Sequence, residues 1–315
     1  MNAIIHVPSD IVEARLASRG DPREDWIGDV ARQAFQDGHF RDFSEWVLKR
    51  TDFGNGHQEA MLYQRHVDGY KAYDRLMYSH TRAKRGEGLD REESIKKSAA
   101  RAKAKCRLVC KTMMVNSLWT LTYRENVTDR DLVIKHMKEF IRRVRRLIPD
   151  MAYVWTLENQ TRGAYHVHMA THSLPKVFMQ GGYSVKSWDL MRRIWRSVVG
   201  DHGGNFDEAK DRSRWRRKGS QQRSAAAIAR YISKYVTKSF EADGDLNRKR
   251  WNHSDVRLPL AVRQRFSIDR SAAELIELAM RSVGENITRT WWDHGRGCFF
   301  IETDDTGLTS IGPVE

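Results

Sequence analysis

Apolar and polar positions change period several times along this chain, and the changes mark out its elements. In "NSLWTLTYREN", Trp119, Leu121 and Tyr123 alternate with Thr120 and Thr122, the period-two pattern of a strand. The next segment, "VTDRDLVIKHMKEFIRRVRRLIPD", puts Val133, Met137, Phe140, Val144 and Leu147 on one helical face. Its basic residues Lys135, Lys138, Arg142, Arg145 and Arg146 fall mostly elsewhere. Thr128 with Asp131 predicts a capping box, and Pro149 stops the helix. "MAYVWTLE" then reads as a strand, "NQTRG" as a polar turn and "AYHVHMATH" as a second strand, together an antiparallel hairpin. "SWDLMRRIWRSVVG" predicts a helix with Trp188, Met191, Trp195 and Val198 inward and Gly200 closing it. "SAAAIARYISKYVTKSF" and "SAAELIELAMRSV" predict two more helices, and "CFFIET" a strand. The order strand, helix, strand, strand, helix predicts an α+β domain with a mainly antiparallel sheet and helices packed on one side.

The flanks are less regular. Residues 1–80 read as a helical region: Trp26, Val30, Phe35, Phe43 and Trp46 recur at roughly helical spacing, and a second helical stretch runs from about Gln58 to Ser79. Residues 81–107 are highly charged and poor in large apolar side chains, which predicts a basic linker or exposed helix at a domain boundary. "DHGGNFDEAKDRSRWRRKGSQQRS" predicts an irregular Gly-rich, basic insertion. Residues 256–315 form a C-terminal extension containing the last helix and strand. No internal repeat is visible.

Charge narrows the function. The chain of 315 residues carries a formal net charge of +14. An excess of that size calls for a polyanionic partner, either nucleic acid or an acidic membrane surface. No run of eighteen apolar residues predicts a membrane span, and "MNAIIHVPSDIVEARL" does not read as a secretory signal. Nucleic acid is therefore the expected partner, in the cytoplasm. Three cysteines, Cys106, Cys110 and Cys298, are too few and too scattered for a disulfide framework or a zinc finger, and fit a reducing compartment.

Candidate chemistry sits in two places. In a strand, residues two apart share a face, so His166 and His168 point the same way, and His172 does too if the strand runs on. Glu158, at the end of the preceding strand, falls on that face across the turn. Two imidazoles and a carboxylate make a divalent-metal site with open positions, and the carboxylate favours magnesium or manganese. Alone, the His-x-His pair reads equally as two structural histidines on a half-exposed strand. The second place is "ARYISKYVTK". Ile228, Ile232 and Val236 form its packing stripe, Tyr231 and Tyr235 lie on the border, and Lys234 and Lys238 follow each tyrosine by three residues. A phenolate attacks a phosphodiester once its proton is lost and the phosphate is polarised, and a nearby ammonium favours phenolate. Alone, this is equally an amphipathic helix with solvated lysines. The combination, in a basic chain, points to metal-assisted transesterification on DNA.

These residues resemble the HUH endonucleases, in which two histidines flank a hydrophobic residue, and more closely the rolling-circle replication initiators of small single-stranded-DNA phages and plasmids. "LWTLTYR" resembles the family's first motif, "VWTLENQTRGAYHVHMATH" its second, and "RYISKYVTK" its third, in the paired-tyrosine form. The resemblance covers about residues 108–240, within a domain bounded at 108–255. It implies a ferredoxin-like or RRM-like core whose antiparallel sheet carries the ion on Glu158, His166 and His168. It implies attack by Tyr231 or Tyr235 on a single-stranded DNA origin, a 5′-phosphotyrosyl intermediate, a free 3′-hydroxyl, and assistance from Lys234 and Lys238. The chain departs from larger initiators in lacking a P-loop motif, so unwinding and synthesis would fall to a host helicase and polymerase in a bacterial cell. Two other readings stay open: a non-catalytic single-stranded nucleic-acid-binding protein, and a paired-tyrosine transposase.

Overall fold

The structure, a computed structural model, describes residues 42–69, 91–208, 225–242 and 248–304. In chain order the elements are β1 (Phe43–Asp52), β2 (His57–Val67), α1 (Arg91–Thr112), β3 (Ser117–Tyr123), α2 (Arg130–Val144), β4 (Tyr153–Asn159) and β5 (Tyr165–Thr171). There follow β6 (Val177–Gln180), β7 (Tyr183–Lys186), α3 (Ser187–Val199), β8 (Gly204–Glu208), α4 (Ala225–Ala242) and β9 (Trp251–His253). The chain ends in β10 (Val262–Ser267), α5 (Ala272–Arg281), β11 (Ile287–Asp293) and β12 (Cys298–Asp304). It divides into two compact units, one from residues 1–84 and 259–307, the other from 85–258 and 308–315.

The second unit carries the α+β core expected from the sequence. Its sheet runs β8-β3-β5-β4-β9, with every neighbouring pair antiparallel. The succession β3-α2-β4-β5-α3-β8 in the order β8-β3-β5-β4 is the ferredoxin-like double split βαβ. One sheet face, formed by Trp119, Leu121, Trp155, Leu157, Val167, Met169 and Phe206, packs on α2 and α3. The other does not stay bare. Leu118, Val154 and Ala170 pack against Cys106, Val109 and Cys110 of α1 and Ile228, Ile232 and Val236 of α4. Helices therefore cover both faces, which corrects the one-sided arrangement expected from the sequence. The charged run at 81–107 hid an apolar stripe in α1, and Cys106 and Cys110 are buried within it.

Local chemistry explains several boundaries. The N-cap of α2 is Asp129 rather than Thr128, and its carboxylate accepts from the backbone of Asp131 and Leu132. Gly200 closes α3 at positive φ. Leu190, Met191, Trp195 and Val199 are the buried face of α3, whereas Trp188 is exposed beneath the Arg192 guanidinium. Part of the expected insertion is ordered as the edge strand β8; residues 209–224 lie outside the described residues. Gly204 is fixed by packing, since a Cβ there would meet Trp195 Nε1 at 2.6 Å and Thr122 O at 2.7 Å.

The first unit corrects the helical reading of residues 1–80 over its described part. Residues 43–67 form an antiparallel hairpin, Phe43 opposite Val67 and Asp52 opposite Gln58. Its turn contains Asn55-Gly56, the dipeptide suited to a tight hairpin, with Gly54 and Gly56 at positive φ. Trp26, Val30, Phe35 and residues 70–80 lie outside the described residues, as do residues 81–90 of the charged segment. The expected C-terminal extension joins this hairpin instead of standing apart. The sheet runs β10-β1-β2-β12-β11, and α5 packs on it through Leu275 and Ala279.

Candidate active site

Along the α1/α4 face of the core sheet, apolar pairs give way to polar ones. Val154 pairs with Ala170, then Thr156 with His168, then Glu158 with His166. The apolar end is covered by Ile232 and Val236 of α4, both fully buried. Beyond them, the border residues of the same helix reach the polar end. A helix whose buried stripe is Ile228-Ile232-Val236 necessarily presents residues 231, 235 and 238 along one edge of that stripe.

The contacts are direct. His168 Nε2 donates to Glu158 Oε2 at 2.8 Å, and Lys238 Nζ donates to Glu158 Oε1 at 3.3 Å. The Tyr235 ring stacks on the His168 imidazole with centroids 3.8 Å apart and planes inclined by 21°. Tyr231 and Tyr235 share a hydroxyl–hydroxyl hydrogen bond of 2.8 Å. The Lys238 ammonium lies 5.4 Å from the Tyr235 ring centre. Glu158, His168, Tyr231, Tyr235 and Lys238 therefore form one connected cluster, although some sixty residues separate the two parts in sequence.

His166 is held one step away. Its Nδ1 accepts from Gln160 Nε2 at 3.0 Å. The ligating groups of Glu158, His166 and His168 do not all come within 4.8 Å of one another. Lys234 is exposed, and among the described residues no hydrogen bond or ion pair joins it to the cluster. His172 donates through Nε2 to the carbonyl of Met113 at 2.7 Å and takes no part. Gln160 had no assigned role in the sequence; its place two residues after Glu158, inside the turn that brings β5 back, was the available signal.

Electrostatics suit the groups to ligation and nucleophilic work. Burial, then the neighbouring His168, push His166 below its ordinary value, so its ring is neutral at neutral pH. Burial pushes His168 down as well, against the pull of Glu158. Burial alone would raise Glu158, but the hydrogen bond from His168 and the Lys238 charge outweigh it and hold the carboxyl below its usual range. The Tyr235 phenol is pushed well up by burial and by its bond to Tyr231. His168 Nδ1 is buried and without a hydrogen-bond partner. Two neutral imidazoles, one with an orphaned nitrogen, and an ionised carboxylate are the donor set of a divalent-ion site, and magnesium or manganese suits it. Another compact ligating group among the described residues is His57, Glu59 and Glu302 in the first unit, built on β2 and β12 with a buried His57–Glu302 pair.

A cavity of about 760 Å³ adjoins the cluster. Glu158, Gln160, His166 and Lys238 line its inner wall, and Arg130, Asn159, Arg162, Tyr165 and Arg250 line the rest.

Among the described residues no helix is long and apolar enough to cross a membrane. No curated protein and no solved structure gives a significant match to the chain. Residues 116–240, which span β3 through most of α4 and every residue of the cluster, match the family model of the replication-associated protein ORF2, a similarity that supports a role in replication initiation.

Proposed function

We propose that this chain is a metal-dependent nickase and strand transferase of the paired-tyrosine HUH type, acting on a single-stranded DNA origin to start rolling-circle replication. The observation that carries the reading is the stack of Tyr235 on His168, with Lys238 reaching from the same helix to Glu158. A structural histidine needs no phenol pair on its face, and an ordinary amphipathic helix needs no carboxylate partner for its border lysine.

Magnesium or manganese held by Glu158, His166 and His168 would supply Lewis acidity at a phosphoryl oxygen. The protein's own groups do the rest. A phenol of the pair loses its proton, its oxygen bonds to phosphorus, and the bond from phosphorus to the 3′ oxygen breaks. The 3′ oxygen takes up a proton and leaves as a free hydroxyl, while the 5′ phosphate stays on tyrosine. Lys238, beside the Tyr235 ring, favours phenolate and offsets part of the burial cost. Lys234 stands in the same relation to Tyr231 along the helix and serves the phosphate from the solvent side. After one round of synthesis the second phenol cuts the regenerated origin. The released 3′-hydroxyl then attacks the first phosphotyrosyl bond and closes a circle. A host helicase and polymerase in the bacterial cytoplasm complete the reaction.

The reading is tested with single-stranded oligonucleotides tiled over the DNA adjoining the gene. Manganese should produce a protein–DNA adduct that survives denaturation, and EDTA should abolish it. Binding that ignores chelators and leaves no adduct would instead make the chain a single-strand-binding protein.

A further inference from the structure

The cavity beside the cluster is larger than the metal donors require. Its lining carries four cations, Arg130, Arg162, Lys238 and Arg250, against one carboxylate, Glu158. Two of those cations are tied into the wall. Arg130 donates to the carbonyl of Lys249, and Arg250 donates to the carbonyl of Ser239 while lying over the Phe240 ring. These bonds fix guanidinium groups at set positions, which suits repeated recognition of a phosphate. Arg162 and Asn159 are exposed at the mouth, and Tyr165 is half-buried in the wall. Asn159 and Tyr165 are cross-strand partners at the open end of the β4–β5 hairpin. An amide and an aromatic ring thus stand side by side where the hairpin turns.

We propose that this cavity is a nucleotide subsite, taking the residue of the DNA strand next to the scissile phosphate. The inference rests on the reading of the cluster as a nicking site. Tyr165 stacks the base, the Asn159 amide reads its edge, and Arg130 and Arg162 hold the flanking phosphates. An aromatic ring offers any base a stacking face, whereas a side-chain amide distinguishes donor from acceptor edges. About 760 Å³ is ample for one nucleotide with its ordered water. The hairpin that aligns Glu158 with His166 therefore also chooses which base stands beside the cut.

Two readouts separate this inference from the reading it rests on. The first is anisotropy of a labelled, random-sequence single-stranded 30-mer without metal, which needs no chemistry. Tyr165→Leu should weaken binding about fivefold or more, the size of one lost stacked base. Arg162→Ala should make the plot of log affinity against log salt shallower by about 0.7, one phosphate contact on a single strand. The second is sequencing of adducts formed from the same library with manganese. Asn159→Ala should relax the base preference at one position beside the cut and leave other positions unchanged. Unaltered binding and an unaltered preference in all three variants, with normal adduct yield, would overturn the subsite and leave the nickase standing. Weakened binding in the variants, with no adduct from the wild-type protein, would overturn the nickase and leave the subsite. Asn159 and Arg162 are exposed, so their variants carry the test even if Tyr165→Leu misfolds.

Discussion

Replacing Glu158 by Gln keeps the shape of the side chain and removes its charge. In the metal-free protein the cost should be small. Glu158 pairs with Lys238, but the lysine side chain is 61 % exposed, and exposed pairs contribute only about 0–1 kcal/mol. The glutamine still accepts from His168 Nε2. Metal binding should respond far more. Loss of even an outer partner of a metal ligand typically lowers affinity about 10–100-fold, and a charged ligand at the upper end or beyond. At an ion concentration of about 100 times the wild-type Kd, binding stabilises the folded state by about 2.7 kcal/mol. A variant about 100-fold weaker keeps only about 0.4 kcal/mol at the same concentration. For a unit of this size about 1 kcal/mol moves Tm by roughly 2–4 °C. Manganese should therefore raise the wild-type Tm by roughly 5–10 °C and that of Glu158→Gln by about 1 °C, with the two metal-free values within a few degrees. Calorimetry with and without manganese reads both effects. Equal manganese shifts in the two proteins would show that Glu158 is not a ligand and that its bonds to His168 and Lys238 are only structural.

Other consequences follow from the same contacts. Tyr231→Phe and Tyr235→Phe should each retain covalent attachment to DNA, since the second phenol remains, while the double variant should form none; gel analysis of adducts checks this. Burial holds His166 and His168 below their ordinary 6.5, so the folded chain resists protonation that the unfolded chain accepts. Their contribution is present above pH 6.5 and is lost as pH falls below it toward the lower folded values. Metal-free Tm should accordingly drop below pH 6.5, and less steeply in His168→Gln, as thermal melts from pH 8 to 5 would record. Gly204→Ala should force Trp195 off its 2.9 Å hydrogen bond to the Thr122 carbonyl and destabilise by about 1–3 kcal/mol in urea unfolding.

Much of the core was legible because its periods are clean. The alternation of Trp119, Leu121 and Tyr123, and the face of Val133, Met137, Phe140 and Val144, each match their elements. His166, His168 and Glu158 lie on one sheet face because strand geometry leaves no other arrangement. What eluded the sequence was long-range. Nothing local tells that residues 43–67 find their partner strand at 298–304, yet β2 and β12 pair from His57–Asp304 to Tyr63–Cys298. The hairpin itself was missed because Phe43 and Trp46 also satisfy helical spacing, while the stronger signal, Asn55-Gly56, was passed over as punctuation. The charge of 81–107 masked the apolar stripe of Cys106, Val109 and Cys110, and with it the helix that helps seat α4 over the histidines. Within the site, spacing predicted which residues share a face but not which touch. Lys238 reaches Glu158 while Lys234 faces solvent, and His166 turns to Gln160, because side-chain contacts across sixty residues are set by the packing of α4 on the sheet.

The central claim is that a tyrosine of α4 becomes covalently joined to DNA beside the His168–Glu158 pair. The most direct measurement is mass spectrometry of the peptide–nucleotide adduct formed with single-stranded origin DNA and manganese. The account predicts a 5′-phosphate linked to Tyr231 or Tyr235, absent after EDTA treatment. An adduct mapped to any other residue, or one that persists in the double phenylalanine variant, would contradict it.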